Sequence, residues 1–232
     1  MATTAQKRRI AFFAAAIGAL SLALFSLWFS AQVFAASEGP NNADVLATTT
    51  GSGEDIIAWS NPANASTSNN VYATVVLNSV SLQSESLQAT DFDFAIPSDA
   101  TIVGIKVEVE RKINTINGRN IQDLSAKIIK TGSAQGDEKA GSVNWSITEA
   151  YVGYGGETDL WGLTWTPAQI NATDFGFQIS AQFVGSAGAN LTASIDHIRI
   201  TVTYTPFQGP HVRIESKGST VIDGSKGSVR IQ

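Results

Sequence analysis

The chain has 232 residues, 43% hydrophobic and 15% charged, with 15 basic against 20 acidic side chains and no cysteine. That length supports one good core or two small ones, and the lack of cysteine excludes disulfide frameworks and thiolate metal sites. Low charge, 20 glycines and abundant Thr, Ser, Asn and Val point to an all-β protein.

The first 35 residues read as an export signal. Lys7, Arg8 and Arg9 form a cationic start, Ile10 to Ala31 an apolar stretch expected to be helical, and Val33 and Ala35 the small residues of a cleavage site. About 20 apolar residues can span a bilayer, so a retained membrane anchor is the alternative to cleavage before Ala36. No glutamate follows a Gly-Phe junction, which argues against a type IV pilin leader. Both readings place the remainder outside the cytoplasm, secreted or at the cell surface. Without residues 1–35, 12 basic stand against 20 acidic residues, a net charge of −8. Such a chain lacks the basic footprint of a nucleic-acid binder.

Residues 36–54 ("ASEGPNNADVLATTTGSGE") are small and polar and read as a linker. From 55 to 205 a period of two dominates. Val103, Ile105, Val107 and Val109 share one face, with Lys106, Glu108 and Glu110 on the other. Phe175, Phe177, Ile179, Ala181 and Phe183 line a second strand, and Ile198, Ile200, Val202 and Tyr204 a third. This in/out alternation predicts an antiparallel β-sandwich, jelly-roll-like, behind the N-terminal hydrophobic helix. "LQATDFDFAI" (87–96) and "INATDFGFQI" (170–179) suggest two halves carrying equivalent strands, with a chance match as the alternative. In "TPAQINA", Thr166, Pro167 and Gln169 form a capping box that predicts one helical turn ending at Asn171.

Catalytic motifs are scarce. His197 falls on an outward strand face beside Arg199 and reads as a solvated surface histidine. Asp196 shares the inward phase of Ile198 and reads as an aspartate bonding turn amides rather than a calcium ligand. The loops at 52–55 and 61–70 are oxygen-rich but lack EF-hand spacing. No metal or cofactor is expected. Four Asn-x-Ser/Thr sequons (Asn64, Asn144, Asn171, Asn190) matter only where exported proteins are glycosylated. Trp161, Leu163 and Trp165 make a continuous apolar stripe if extended, so both tryptophans read as core rather than as a sugar platform. The better candidate for ligand binding is "EAYVGYGGETD" (149–159), read as a glycine-rich projecting loop carrying Tyr151, Tyr154 and Asp159. A plain hairpin tip is its alternative.

Residues 56–204 resemble a recurrent uncharacterised β-sandwich domain of phage virion proteins and bacterial secreted or surface proteins. The likeness rests on Trp-x-Asn-Pro at 59–62, Tyr-Ala-Thr at 72–74, Ile-Pro-x-x-Ala-x-Ile-x-Gly-Ile at 96–105, and Thr-Trp-Thr-Pro-Ala-x-Ile-Asn-Ala at 164–172. It implies an exposed structural or adhesive module with no known catalytic residue, and the export signal favours a cell-surface protein. The leading expectation is therefore non-enzymatic. A carbohydrate-binding module, with a glycan bound at Tyr151, Tyr154 and Asp159, is the alternative.

Residues 206–232 form a repetitive, β-prone tail. "TPFQGP" ends the sandwich, after which Val-Arg-Ile and Ser-Lys-Gly-Ser each occur twice. The expectation is either a local extension or strands that pair with an edge on another subunit or surface partner.

Overall fold

The computed structural model describes residues 34–49, 56–80, 82–115, 118–185 and 190–207. The apolar export stretch and the repetitive tail beyond Phe207 lie outside the described residues. In chain order the strands are β1 (Ala36–Asn42), β2 (Val45–Thr48), β3 (Ile56–Ile57), β4 (Ala73–Leu77), β5 (Gln83–Ser84), β6 (Leu87–Thr90), β7 (Thr101–Ile113), β8 (Arg119–Lys130), β9 (Ser133–Gln135), β10 (Ala150–Gly156), β11 (Gly176–Gly185) and β12 (Leu191–Thr205), with a 3-10 turn (Pro62–Ala65) and an α-helical turn α1 (Pro167–Ile170) among the described residues. One sheet runs β1-β12-β7-β10, with β4 beside the first part of β12. The other is built on β11, flanked by β8 on one side and by β6 and β5 on the other. All pairings are antiparallel except the short β3–β5 pair. Residues from both sheets form one apolar core, so the chain is an all-β sandwich.

The alternation read from sequence accounts for most of that core. Phe175, Phe177, Ile179, Ala181 and Phe183 are all buried, as are Ile198, Ile200 and Val202. Two departures arise from bulges, which shift the period by one. On β7, Ile102 lies opposite Tyr204 and Gly104 opposite Thr203, so Val103 is the extra residue and Ile102 takes the inward place. On β12, Ile195 lies opposite Arg111 and His197 opposite Glu110, which leaves Asp196 as the extra residue. Asp196 therefore turns to the Glu110 side of the sheet, against the inward orientation expected from its phase.

The expected linker is also revised. Residues 36–42 and 45–48 are strands β1 and β2 of the sandwich. Their composition suits an edge rather than a core. Gly39 and Pro40 fall at the register break between Glu38 and Asn41, where proline's missing N–H disturbs no ladder. A Cβ on Gly39 would lie 2.5 Å from the Ile200 carbonyl oxygen, so only glycine fits there.

The Ala-Thr-Asp-Phe-x-Phe sequence shared by residues 87–96 and 170–179 does not mark equivalent halves. In the first copy it ends strand β6 and continues as irregular chain, whereas in the second it follows α1 and opens β11. The two copies are antiparallel neighbours, with Ala89 opposite Phe177 and Leu87 opposite Ile179. Helix α1 forms as its capping box predicts: Thr166 accepts from the Gln169 amide, and the Gln169 side chain accepts from the Thr166 amide.

Candidate functional site

The densest polar cluster lies on the outer face of the β1-β12-β7-β10 sheet, where outward positions of four strands converge. β10 contributes Tyr151, β7 contributes Glu108, Glu110 and Lys112, β12 contributes Asp196, His197 and Arg199, and β1 contributes Asn42. Between the end of β1 and the start of β4, Ser66 forms a bridge to His197, so residues 61–70 fill that gap along the β12 edge. This cover explains why His197 is 6% exposed rather than a solvated surface group.

The hydrogen bonds clamp strands together. The Tyr151 hydroxyl lies 2.8 Å from His197 Nδ1, and His197 Nε2 lies 2.8 Å from Asn42 Oδ1. Because the Asn42 oxygen is an acceptor, the imidazole donates from Nε2 and accepts from tyrosine at Nδ1. One chain of side chains thus ties β10, β12 and β1 across β7. Arg199 stacks 3.9 Å from the Tyr151 ring centroid and donates to Glu108 at 3.2 Å, and Lys106 donates to Glu108 at 2.9 Å.

The electrostatics favour resting states over reactive ones. Burial, then the Arg199 charge, pushes the His197 imidazole below its ordinary value, against the pull of Glu110 and Asp196. Burial raises the Tyr151 phenol, so its hydroxyl is not activated as a nucleophile. Burial opposes ionisation of Glu108, but Lys106 and Arg199 outweigh it and hold the carboxyl below its ordinary value.

Beside this clamp, carboxylate oxygens of Glu110, Glu149 and Asp196 lie within 4.8 Å of one another. Such a trio could hold a hard cation, which takes six to eight oxygens when it is calcium. Asp196 and Glu149 already have other partners, whereas Glu110 Oε2 is buried without a hydrogen-bond partner among the described residues. Asp196, 1% exposed, accepts from the backbone amides of Asn69 and Asn70 at 3.1 and 3.0 Å. Glu149 pairs with Lys112 at 2.7 Å. Asp196 thus bonds turn amides, as the sequence reading expects, although from the outer side of a bulge.

The three residues proposed for a ligand loop do not come together. Residues 150–156 are strand β10, paired with β7 along its whole length, and not a projecting loop. Tyr151 faces outward in the clamp. Tyr154 faces the core, 4% exposed, and donates to Asp123 at 3.1 Å. Asp159 lies past the end of β10, where its carboxylate accepts from the Trp161 amide at 2.7 Å and pairs with Lys139 at 2.8 Å.

That contact shapes the tryptophan segment, which is a run of turns and not a strand. Trp161 has a left-handed backbone (φ 59°), is fully buried and donates from its indole to the Ile105 carbonyl at 3.0 Å. Trp165 is only partly buried, packed edge-on against Phe175 at 5.4 Å beneath the Lys130 ammonium.

A buried polar network escaped the sequence reading. Arg111 and Asp123, each 5% exposed, form an ion pair between the two sheets. Asp123 also accepts from the Trp145 indole at 2.9 Å, and the Arg111 guanidinium lies 4.3 Å from that ring's centroid. The signal was present: Arg111 shares the inward phase of Val107, Val109 and Ile113.

The motifs behind the family resemblance are structural fasteners. The Trp59 indole donates to the Glu85 carbonyl at 2.9 Å. The Asn171 side chain bonds both backbone groups of Ile96, accepting at 2.9 Å and donating at 2.8 Å, which joins two of the quoted motifs. Gly104 lets the chain at Glu157 approach, since a Cβ there would lie 2.2 Å from the Glu157 carbonyl carbon.

No protein-family model matches the chain, and no curated protein does. Among solved structures, one similar chain comes from infectious bursal disease virus, Gt strain, at 12% identity and a TM-score of 0.27, covering 75% of this chain and 32% of that one. The chain therefore spans about a third of that protein. A second is from the cyanophage Pam1 capsid asymmetric unit, at 20% identity and a TM-score of 0.23, covering 58% of this chain and 81% of that one. At these scores the likenesses carry no argument about function.

Proposed function

We propose that the chain is a non-enzymatic, exported β-sandwich that serves at the cell surface as a structural or adhesion module. The observation that carries this reading is what the conspicuous polar side chains bond to. Trp59, Asn171, Asp196, Tyr151 and His197 all bond to other parts of this chain, joining strands and loops. The cationic, apolar and small-residue pattern of residues 1–35 supports export, and the motif resemblance supports an exposed module. The carbohydrate-binding alternative drew on Tyr151, Tyr154 and Asp159, which the fold sends to three separate places, so it has the weaker support. Protease treatment of intact source cells, with attachment assays on a deletion strain, tests the proposal. The expected result is cleavage from intact cells and impaired attachment or envelope integrity on deletion. Protection of the protein inside intact cells would overturn it.

A further inference from the structure

Strand edges are templates for pairing, and most edges in this sandwich are blunted. β1 carries the Gly39–Pro40 register break, β4 is bonded on its outer side to Ser60, and β2, β3 and β9 have 4, 2 and 3 residues. β10 is different. It has seven residues, no proline and no bulge, and among the described residues it pairs with β7 alone. Its open side can be assigned. The Ile105 and Ile113 amides donate toward the β10 side, to Asp159 and Ser146, whereas the Asn114 amide donates to Thr192 of β12. Odd-numbered residues of β7 therefore turn their backbone toward β10. Since Val109 lies opposite Val152 and Val107 opposite Tyr154, the N–H and C=O groups of Tyr151 and Gly153 point away from the sheet.

We propose that this edge accepts a strand from the C-terminal segment of a second copy, with Val212–Ile214 of "HVRIES" antiparallel to β10 and Arg213 opposite Gly153. The inference extends the structural reading above but needs only the folded domain, not export. Three features favour that occupant. In this register Val212 and Ile214 fall on the side of half-buried Val152 and of Tyr154, away from the outer face. Arg213 falls on the outer side, where Gly153 has no side chain and lies opposite Glu108. The charges are complementary: residues 36–205 hold eight basic and eighteen acidic side chains, whereas residues 206–232 hold four basic and two acidic. The chain's own tail is poorly placed for this register. Gly153 is level with Arg199, six residues back from Thr205, about 20 Å along the sheet and three strand spacings, about 14 Å, across. Arg213 lies eight residues beyond Thr205, a span of at most about 29 Å fully extended. The connection would have to run nearly straight across the sheet despite Pro206, Gly209 and Pro210, passing the segment around Asp159 that bonds to Ile105.

The cysteine-free chain makes the test direct. Full-length Gly153→Cys and Arg213→Cys proteins are purified separately in mild detergent, mixed and mildly oxidised. A Cβ at Gly153 meets nothing closer than 3.8 Å, so that substitution is tolerated. The proposal expects disulfide heterodimers about tenfold above those from a control pair of Ser37→Cys with Arg213→Cys, since a disulfide needs Cα atoms within about 7 Å. In the otherwise unmodified chain, deleting residues 208–232 should speed exchange of the Tyr151 and Gly153 amides about tenfold. Heterodimer yields equal to the control, unchanged exchange on deletion, or monomeric intramolecular closure of the Gly153→Cys/Arg213→Cys double variant would each overturn the proposal.

Discussion

Arg111→Met isolates the buried ion pair between the sheets. Methionine keeps most of the volume but leaves Asp123 charged in the core, held only by the Trp145 indole and the Tyr154 hydroxyl. Breaking a buried pair from one side costs about 3–5 kcal/mol, because the remaining charge is uncompensated. Asp123→Leu should cost at least as much, since it strands the guanidinium together with the indole N–H and the phenol O–H. The double variant removes both charges and leaves the two neutral donors unpaired, at about 1–3 kcal/mol each. It should therefore be less destabilised than the sum of the singles, by about 2–3 kcal/mol. Adding Trp145→Phe and Tyr154→Phe removes those donors and should recover much of the loss. Urea denaturation gives the four values, read as midpoint shifts at constant slope. An Arg111→Met change within about 0.5 kcal/mol of the parent, like an ordinary surface substitution, would refute the reasoning. So would a double variant as unstable as the two singles combined.

Trp161→Ala should cost about 3–5 kcal/mol, since the side chain is fully buried and bonded to Ile105, whereas Trp165→Ala should cost less because that ring is partly exposed. Equal losses in chemical denaturation would contradict this ordering. The pH dependence has a defined sign. His197 has a lowered value in the fold, so unfolding takes up protons and stability falls as pH drops below about 6.5. Burial opposes ionisation of Glu108, Glu138, Glu149 and Asp159, but hydrogen bonds from lysines to Glu108, Glu149 and Asp159, and from the Ala126 amide to Glu138, hold them low, and their contribution fades only in the more acidic range. His197→Gln should abolish the first loss and keep the second, and an unchanged profile between pH 6.5 and 5 would count against it.

The strand faces were legible because burial on one side imposes a period of two, and the helical turn because its capping box is local. Asp196 and Val103 were misjudged for a reason that periodicity cannot carry: a bulge depends on the partner strand. Tyr151 and Tyr154 sit among glycines that read as a loop, yet β7 supplies the ladder that makes them a strand. The glycine–proline stretch of β1 read as linker because an edge strand needs neither core residues nor a full set of donors. Arg111 was visible as a cation in an inward phase, but its partner Asp123 lies on the other sheet, a pairing that only the fold brings about.

If the polar outer face clamps the sheet and is not a ligand site, Tyr151→Phe will weaken the fold and leave binding intact. The substitution keeps the ring under Arg199 and removes only the hydroxyl that bonds His197. Stability and binding should be measured on the same preparation, by denaturation and by a glycan array with cell-attachment assays. The expected result is a loss of about 0.5–1.5 kcal/mol with binding and attachment unchanged. Unchanged stability together with lost glycan binding or attachment would contradict it.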